Sequence, residues 1–258
     1  MKSKKPITFI GSGNVASHLA KAFFSKGFTI SKIYSKSIDN AKNLATKVNA
    51  QACDNLSELT DANNIYIVCV SDDAITNVLS KIHAKKTLII HTSGSVNIDV
   101  FKSKDFTNYG IFYPLQTFSK NIDVNISSVP FCIEANTKEN ENTLLALANI
   151  LSNNVQLINS EERKKLHLAA VFACNFSNYM YTIADELLSE SNLDLNLLKP
   201  LIIETANKIK DSSPKDIQTG PAKRNDKAII ENHLQLLAKS KDYQDIYKLI
   251  TENIIKNS

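Results

Sequence analysis

The chain has 258 residues, 43% of them hydrophobic and 22% charged, with a formal net charge of +4 from 30 basic and 26 acidic side chains. These proportions describe a folded globular protein and exclude long disorder, and the scattered Lys pairs and triplets exclude the basic stripe of a nucleic-acid binder. No apolar run approaches a membrane span, and the stretch after the basic start is cut short by Gly11-Ser12-Gly13-Asn14, so neither a signal peptide nor a membrane segment is expected and the expected location is the cytoplasm.

Up to about residue 159, short β-branched runs alternate with helical stretches, the pattern of a parallel α/β sheet. The predicted strands are "ITFIG", "SKIYS", "AQAC", "NIYIVCV", "TLIIHTS", "YGIFYP", "PFCIEA" and "NVQLIN", with helices predicted at 14–26, 38–48, 72–82 and 139–152. Ser37 and Ser71 stand where N-caps belong. From Ser160 a helical period runs without Gly or Pro to about residue 191, and three more helices are expected at 194–210, 226–240 and 242–256. The predicted division is therefore an α/β domain over 1–159 and a helical domain over 160–258. Cys53, Cys69, Cys132 and Cys174 lack metal or redox spacing, and the last three sit in apolar segments, so free thiols are expected, those three buried. No metal site is predicted.

The first strand runs into Gly11-Ser12-Gly13-Asn14-Val15-Ala16 and then a helix. A dinucleotide clamp needs one glycine to turn the chain, a second so that the backbone can approach a pyrophosphate, and a small third residue for close packing. The helix amides then meet the negative charge. Gly11, Gly13 and Ala16 satisfy that pattern, with Ser12, Asn14 and Val15 as further contacts; the alternative is a tight turn. At the end of the second strand, Tyr34-Ser35-Lys36-Ser37 carries no carboxylate to repel a 2′-phosphate. NADP is the expected cofactor, held there by Ser35, Lys36 and Ser37, against the alternative of a polar turn with a helix cap.

Two further loops fall at carboxyl ends of strands. Val70-Ser71-Asp72 is expected beneath the pyrophosphate and ribose, or else as a simple helix cap. His91-Thr92-Ser93-Gly94-Ser95 is expected to leave room for a nicotinamide ring or a substrate and to supply donors, with a buried, satisfied histidine as the alternative for His91. On the long helix, a count of about 100° per residue groups His167, Cys174 and Asn178 on one face with Asn175 on its flank. Hydride transfer to a carbonyl or imine needs a proton donor, and His167 is the candidate, with Asn175 orienting substrate or nicotinamide; the alternative is a packed interdomain helix. Thr219 and Arg224 in "QTGPAKRND" offer a hydroxyl and a fork suited to a carboxylate or phosphate, or else a rigid interhelical turn.

Taken together, "GSGNVA", "SDDAI", "HTSGS", "YPLQTF", "KKLHLAAVFACNFSNYM" and "QTGPAKRND" resemble a bacterial family of Rossmann-like proteins with a helical C-terminal domain of unknown function. More distantly, and specifically only in the N-terminal half, the chain is similar to pyrroline-5-carboxylate reductases, β-hydroxyacid dehydrogenases and deazaflavin-dependent NADP reductases. The resemblance implies a doubly wound Rossmann domain binding NADP, followed by an all-helical domain that packs across the cofactor cleft and commonly dimerises, so a homodimer is expected. Relatives usually carry His-Pro-Leu where this chain has Tyr113-Pro114-Leu115; if that histidine is the proton donor, the Tyr113 phenol takes its place or the donor lies elsewhere. The β-hydroxyacid dehydrogenases carry a catalytic Lys followed by an Asn on the long helix, a spacing missing here. The 218–226 loop looks like the one that holds the substrate carboxylate in the reductases.

These readings make an NADP-dependent oxidoreductase acting on the carbonyl or imine of a small anionic substrate, with Tyr113, His167 and Asn175 catalytic and Ser95, Asn178, Thr219 and Arg224 on the substrate. The competing expectations are a dinucleotide sensor without chemistry and a Rossmann-like domain with an empty cleft that serves assembly.

Overall fold

The computed structural model describes residues 5–120 and 122–257. Eight strands form one sheet: β1 (Ile7–Ile10), β2 (Ile30–Tyr34), β3 (Gln51–Cys53), β4 (Ile65–Val68), β5 (Leu88–His91), β6 (Asn108–Pro114), β7 (Phe131–Ala135) and β8 (Val155–Leu157). Their order across the sheet is β3-β2-β1-β4-β5-β6-β7-β8. All neighbours pair in parallel except β6 and β7, which are antiparallel with Tyr113 opposite Cys132 and Ile111 opposite Glu134. The expected doubly wound sheet is thus present, with its last two strands reversed relative to the rest.

The central strands are apolar on both faces because helices cover both. The period of two shows in how they divide: Phe9, Ile67 and Ile90 enter one core, whereas Ile10, Tyr66, Val68 and Ile89 enter the other. Connecting helices α1 (Asn14–Ser25), α2 (Ile38–Lys47), α3 (Asp72–Ser80) and α4 (Lys138–Leu151) start close to where the sequence puts them. Ser37 accepts from the Asn40 amide and Thr137 from the Asn140 amide, so α2 and α4 have side-chain caps. Ser71 occupies the N-cap of α3 without making the side-chain bond.

The long helical stretch is not one α-helix. It comprises α5 (Ser160–Ala170), a π-helical segment (Val171–Phe176) and α6 (Ser177–Ser189). The wider turns carry an additional residue, so an uninterrupted count of about 100° per residue does not hold across them. The chain also divides into compact units at Cys174 and Asn175, not at Asn159 and Ser160 as the change of pattern suggests. Helix α5 belongs with the sheet because Arg163, fully buried, bonds to Glu134 of β7. Helix α5 is nonetheless started where the sequence indicates, by a capping box of Asn159 and Glu162.

The second unit, 175–258, contains α6 together with α7 (Lys199–Lys208), α8 (Lys227–Leu236) and α9 (Lys241–Asn257). Within it, a cavity of about 280 Å³ is lined by apolar side chains including Met180, Leu187, Leu237 and Ile250, with Thr219 on its wall. Hydrogen bonds between the helices include His233 Nδ1 with the Tyr247 hydroxyl at 2.9 Å, Gln244 Nε2 to the Leu234 carbonyl at 2.9 Å, and the Tyr243 hydroxyl to Glu186. Among the described residues, no helix is long and apolar enough to cross a membrane.

Candidate active site

The strand order reverses direction between β1 and β4, and the loops that follow those two strands open the crevice where such sheets bind ligands. Gly11 turns the chain there with φ +119°, and a Cβ on it would lie 2.1 Å from the Cys69 carbonyl oxygen. Only glycine fits. Gly13 is exposed, and a Cβ on it would meet nothing within 4 Å, so its backbone faces open space. As the N-cap of α1 it makes no side-chain bond. The first amides of the helix therefore point at the crevice without a side-chain acceptor, which suits an anion. Ser12 Oγ donates to Ser35 Oγ at 3.0 Å, tying the clamp to the end of β2. Lys36 is exposed there, while Ser37 also serves as the α2 cap.

A segment that sequence reasoning missed leans on this loop. The Asn14 side chain donates to the Phe118 carbonyl at 2.8 Å, His18 Nε2 lies 2.9 Å from the Ser119 carbonyl, and the His18 and Phe118 rings are 4.9 Å apart. Asn14 thus ties the clamp to the 115–120 connection through its side-chain amide. Beside Ser12, a polar notch of about 200 Å³ is lined by Lys21, Lys47 and Lys120. Their spacing along the chain carries no motif, so only folding reveals the cluster.

The second half of the site forms around Gly94. Tyr113, at the end of β6, and His167, on α5, join in a hydrogen bond of 3.0 Å between the phenol oxygen and Nδ1. A Cβ on Gly94 would lie 2.7 Å from His167 Nδ1 and 2.8 Å from Tyr113 Cζ. The space this glycine leaves is filled by the two rings, not kept open as the sequence suggests. Two residues considered as alternative proton donors are therefore one pair. Burial pushes the Tyr113 phenol up to about 12; Cys132, Asp72 and Cys174 act in the same direction and Arg163 against it. The phenol is held protonated at any ordinary pH. Asp72, at the start of α3, accepts a short hydrogen bond from Ser95 and so joins the β4 and β5 loops.

The expectation that the run before Gly94 supplies donors to a ligand is not met by its side chains. His91 is fully buried, stacked on Phe101 at 5.4 Å, and its Nδ1 accepts from the Ser93 amide at 3.1 Å. Burial, with a contribution from Arg163, depresses its pKa to about 3, so the ring is neutral. Ser93 Oγ accepts from the Ser95 and Val96 amides, and Thr92 Oγ1 reaches the Val68 carbonyl at 3.4 Å. These three shape the loop from beneath. Val70 is half-buried next to Gly11, and Ser71 is exposed. Cys174 is exposed, unlike the buried Cys53, Cys69 and Cys132, because it lies on the π-helical segment instead of in a core. Asn175, Asn178, Thr219 and Arg224 all belong to the second unit; Asn175, Asn178 and Arg224 are exposed, and Arg224 makes no ion pair among the described residues. Asp226 caps α8 through the Ile229 amide.

The glycine clamp at the switch point of a doubly wound sheet defines a dinucleotide-binding Rossmann protein. Residues 6–94 match the family described as NADP oxidoreductase, coenzyme F420-dependent, and residues 129–254 match the domain of unknown function DUF2520. The chain, which joins these two domains, belongs to the same family as a Bacteroides fragilis protein named a "putative NADP oxidoreductase", 43% identical over 98% of both chains with a TM-score of 0.93. The same fold occurs at 14% identity in a Myxococcus stipitatus imine reductase in complex with NADP+ (TM-score 0.69, 97% of this chain and 92% of that one). It also occurs at 14% identity in an Aspergillus terreus reductive aminase in complex with NADPH and ethyl levulinate (TM-score 0.72, 99% and 95%). No curated protein matches the chain.

Proposed function

We propose that the protein is an NADP-dependent oxidoreductase that reduces the carbonyl or imine of a small anionic substrate, with Tyr113 and His167 as its proton source. The observation that carries this reading is the 3.0 Å phenol–imidazole bond over Gly94, at the same carboxyl end of the parallel strands as the glycine clamp. The residues fit the cofactor: Gly13 and the free amides of α1 suit the pyrophosphate, and Ser35 and Lys36, without a carboxylate between them, suit a 2′-phosphate. Bound NADPH would supply the hydride.

What this chain adds is the proton. A phenol kept neutral by burial donates at its oxygen to the heteroatom that gains electron density, and the imidazole returns a proton to the phenol oxygen through Nδ1 as it takes one from solvent at Nε2. Asp72 and Ser95 fix the loop that flanks the pair. Arg224 and Thr219, with Asn175, Asn178 and Ser95, are the proposed substrate contacts, and the Arg224 fork suits a carboxylate. A second copy of the chain is proposed to cover the helical unit, where Leu197, Leu201, Ile203, Leu236 and Leu249 are each 60–81% exposed.

Parallel titrations with NADPH and NADH test the cofactor half, with tighter NADPH binding expected. A screen of small keto and imino acids with wild type and Tyr113→Phe tests the chemistry, with turnover expected to drop by about 10²-fold or more in the variant. NADPH binding with no turnover on any such substrate would support a sensor instead. Light scattering reads the dimer.

A further inference from the structure

The most deeply buried charge in the first unit lies one helical turn before His167. Arg163 is fully buried, and its guanidinium ends on three elements. Nη1 donates to Glu134 Oε2 at 2.5 Å, and Nη2 donates to the Val96 carbonyl at 2.6 Å and to Ser160 Oγ at 3.1 Å. Ser160 Oγ in turn donates to Glu134 Oε2 at 2.7 Å and accepts from the Ile98 amide at 3.1 Å.

A buried ion pair is a poor way to gain stability, because desolvating both groups offsets most of their attraction and apolar side chains of similar volume do as well. Its bonds have a different pattern of use. Val96 is two residues from Gly94, on which the Tyr113 and His167 rings rest. Glu134 is on β7, which is in register with β6 through Ile111 opposite Glu134 and Tyr113 opposite Cys132. His167 follows Arg163 by four residues and therefore shares its helix face.

Each partner of the guanidinium thus sits on an element that carries one part of the site or, for Glu134 on β7, is paired with the strand that does. We propose that Arg163 is a positioning residue, whose fork holds α5, β7 and the Gly94 loop in the one arrangement that sets His167 against Tyr113. This rests on the reading of that pair as the proton source. The groups that face the phenol are His167, Cys132, Asp72, Cys174 and the Arg163 cation itself; the cation is the one that favours phenolate. Arg163 therefore also makes the phenol a better acid than burial alone would leave it.

The test uses the full-length protein with Arg163→Lys, which keeps the charge and loses the fork, and Arg163→Met, which loses both. The expected result is an unchanged NADPH affinity with kcat lowered about 10²-fold in each, the cost of misplacing a reacting group by about an ångström. Nitrogen-15 NMR of His167 should shift in both variants toward the value seen in Tyr113→Phe. Carbon-13 titration of the Tyr113 ring should move to higher pH in Arg163→Met and less so in Arg163→Lys. Should neither arginine variant fold, Ser160→Ala, which removes only the bridging hydroxyl, is expected to shift the His167 signal in the same direction by a smaller amount. Wild-type NMR signals in folded variants would overturn the proposal. Those signals need no substrate, so full activity of Tyr113→Phe would retire the proton-source reading and leave the placement of His167 by Arg163 still decided by the spectra.

Discussion

At the glycine loop the functional groups are backbone amides, whereas around Gly94 they are side chains brought from β6 and α5, 54 residues apart in the chain. The first site is made by what its glycines lack: Gly11 escapes a clash with the Cys69 carbonyl, and Gly13 leaves its amide surroundings open. The second uses its glycine in reverse, as a floor on which two rings close in. One glycine makes room for a ligand; the other makes room for the protein. The difference explains why a motif announces the first site and nothing local announces the second.

Substitutions at the glycines should break the comparison most sharply. Gly11→Ala puts a side chain at φ +119° and 2.1 Å from a carbonyl oxygen, so we expect loss of measurable NADPH binding together with roughly 1–3 kcal/mol of stability, read by chemical unfolding. Gly94→Ala should separate Tyr113 from His167 and lower kcat about 10²-fold while NADPH affinity stays within a factor of about two. Were its NADPH affinity to fall in step with kcat, the two regions would not be separable. Gly13→Ala is expected to leave the melting temperature unchanged, since its Cβ meets nothing, and to weaken NADPH about tenfold by crowding a phosphate contact.

The last effect concerns the loop beneath Gly94 and shows only on the acid side. His91 titrates at about 3 in the fold against 6.5 unperturbed, so its neutral form stabilises the native state fully above pH 6.5. As pH falls from there toward 3, the unfolded chain binds the proton first and stability declines. Melting temperature against pH should fall on the acid side in wild type and fall less steeply in His91→Asn. Equal slopes would mean that other groups dominate the acid limb.

The sequence alone determined the strands and connecting helices of the sheet, the glycine clamp and the cap at Ser37, because each is set by neighbours within a few residues: a period of two or 3.6, a glycine torsion, an oxygen facing the third amide. It also made Tyr113 and His167 separate suspects. Only the tertiary structure decided that they form one pair, that His91 and Ser93 face inward, and that Arg163 draws α5 onto the sheet. Those outcomes depend on which buried polar groups find partners, and partners such as Glu134, Val96 and Gly94 lie 19 to 73 residues away from the groups they meet. The π-helical segment is of the same kind: nothing in a smooth apolar period marks where a helix takes in an additional residue. Local rules place elements, and the cost of burying unpaired polar groups decides which side chains become a site.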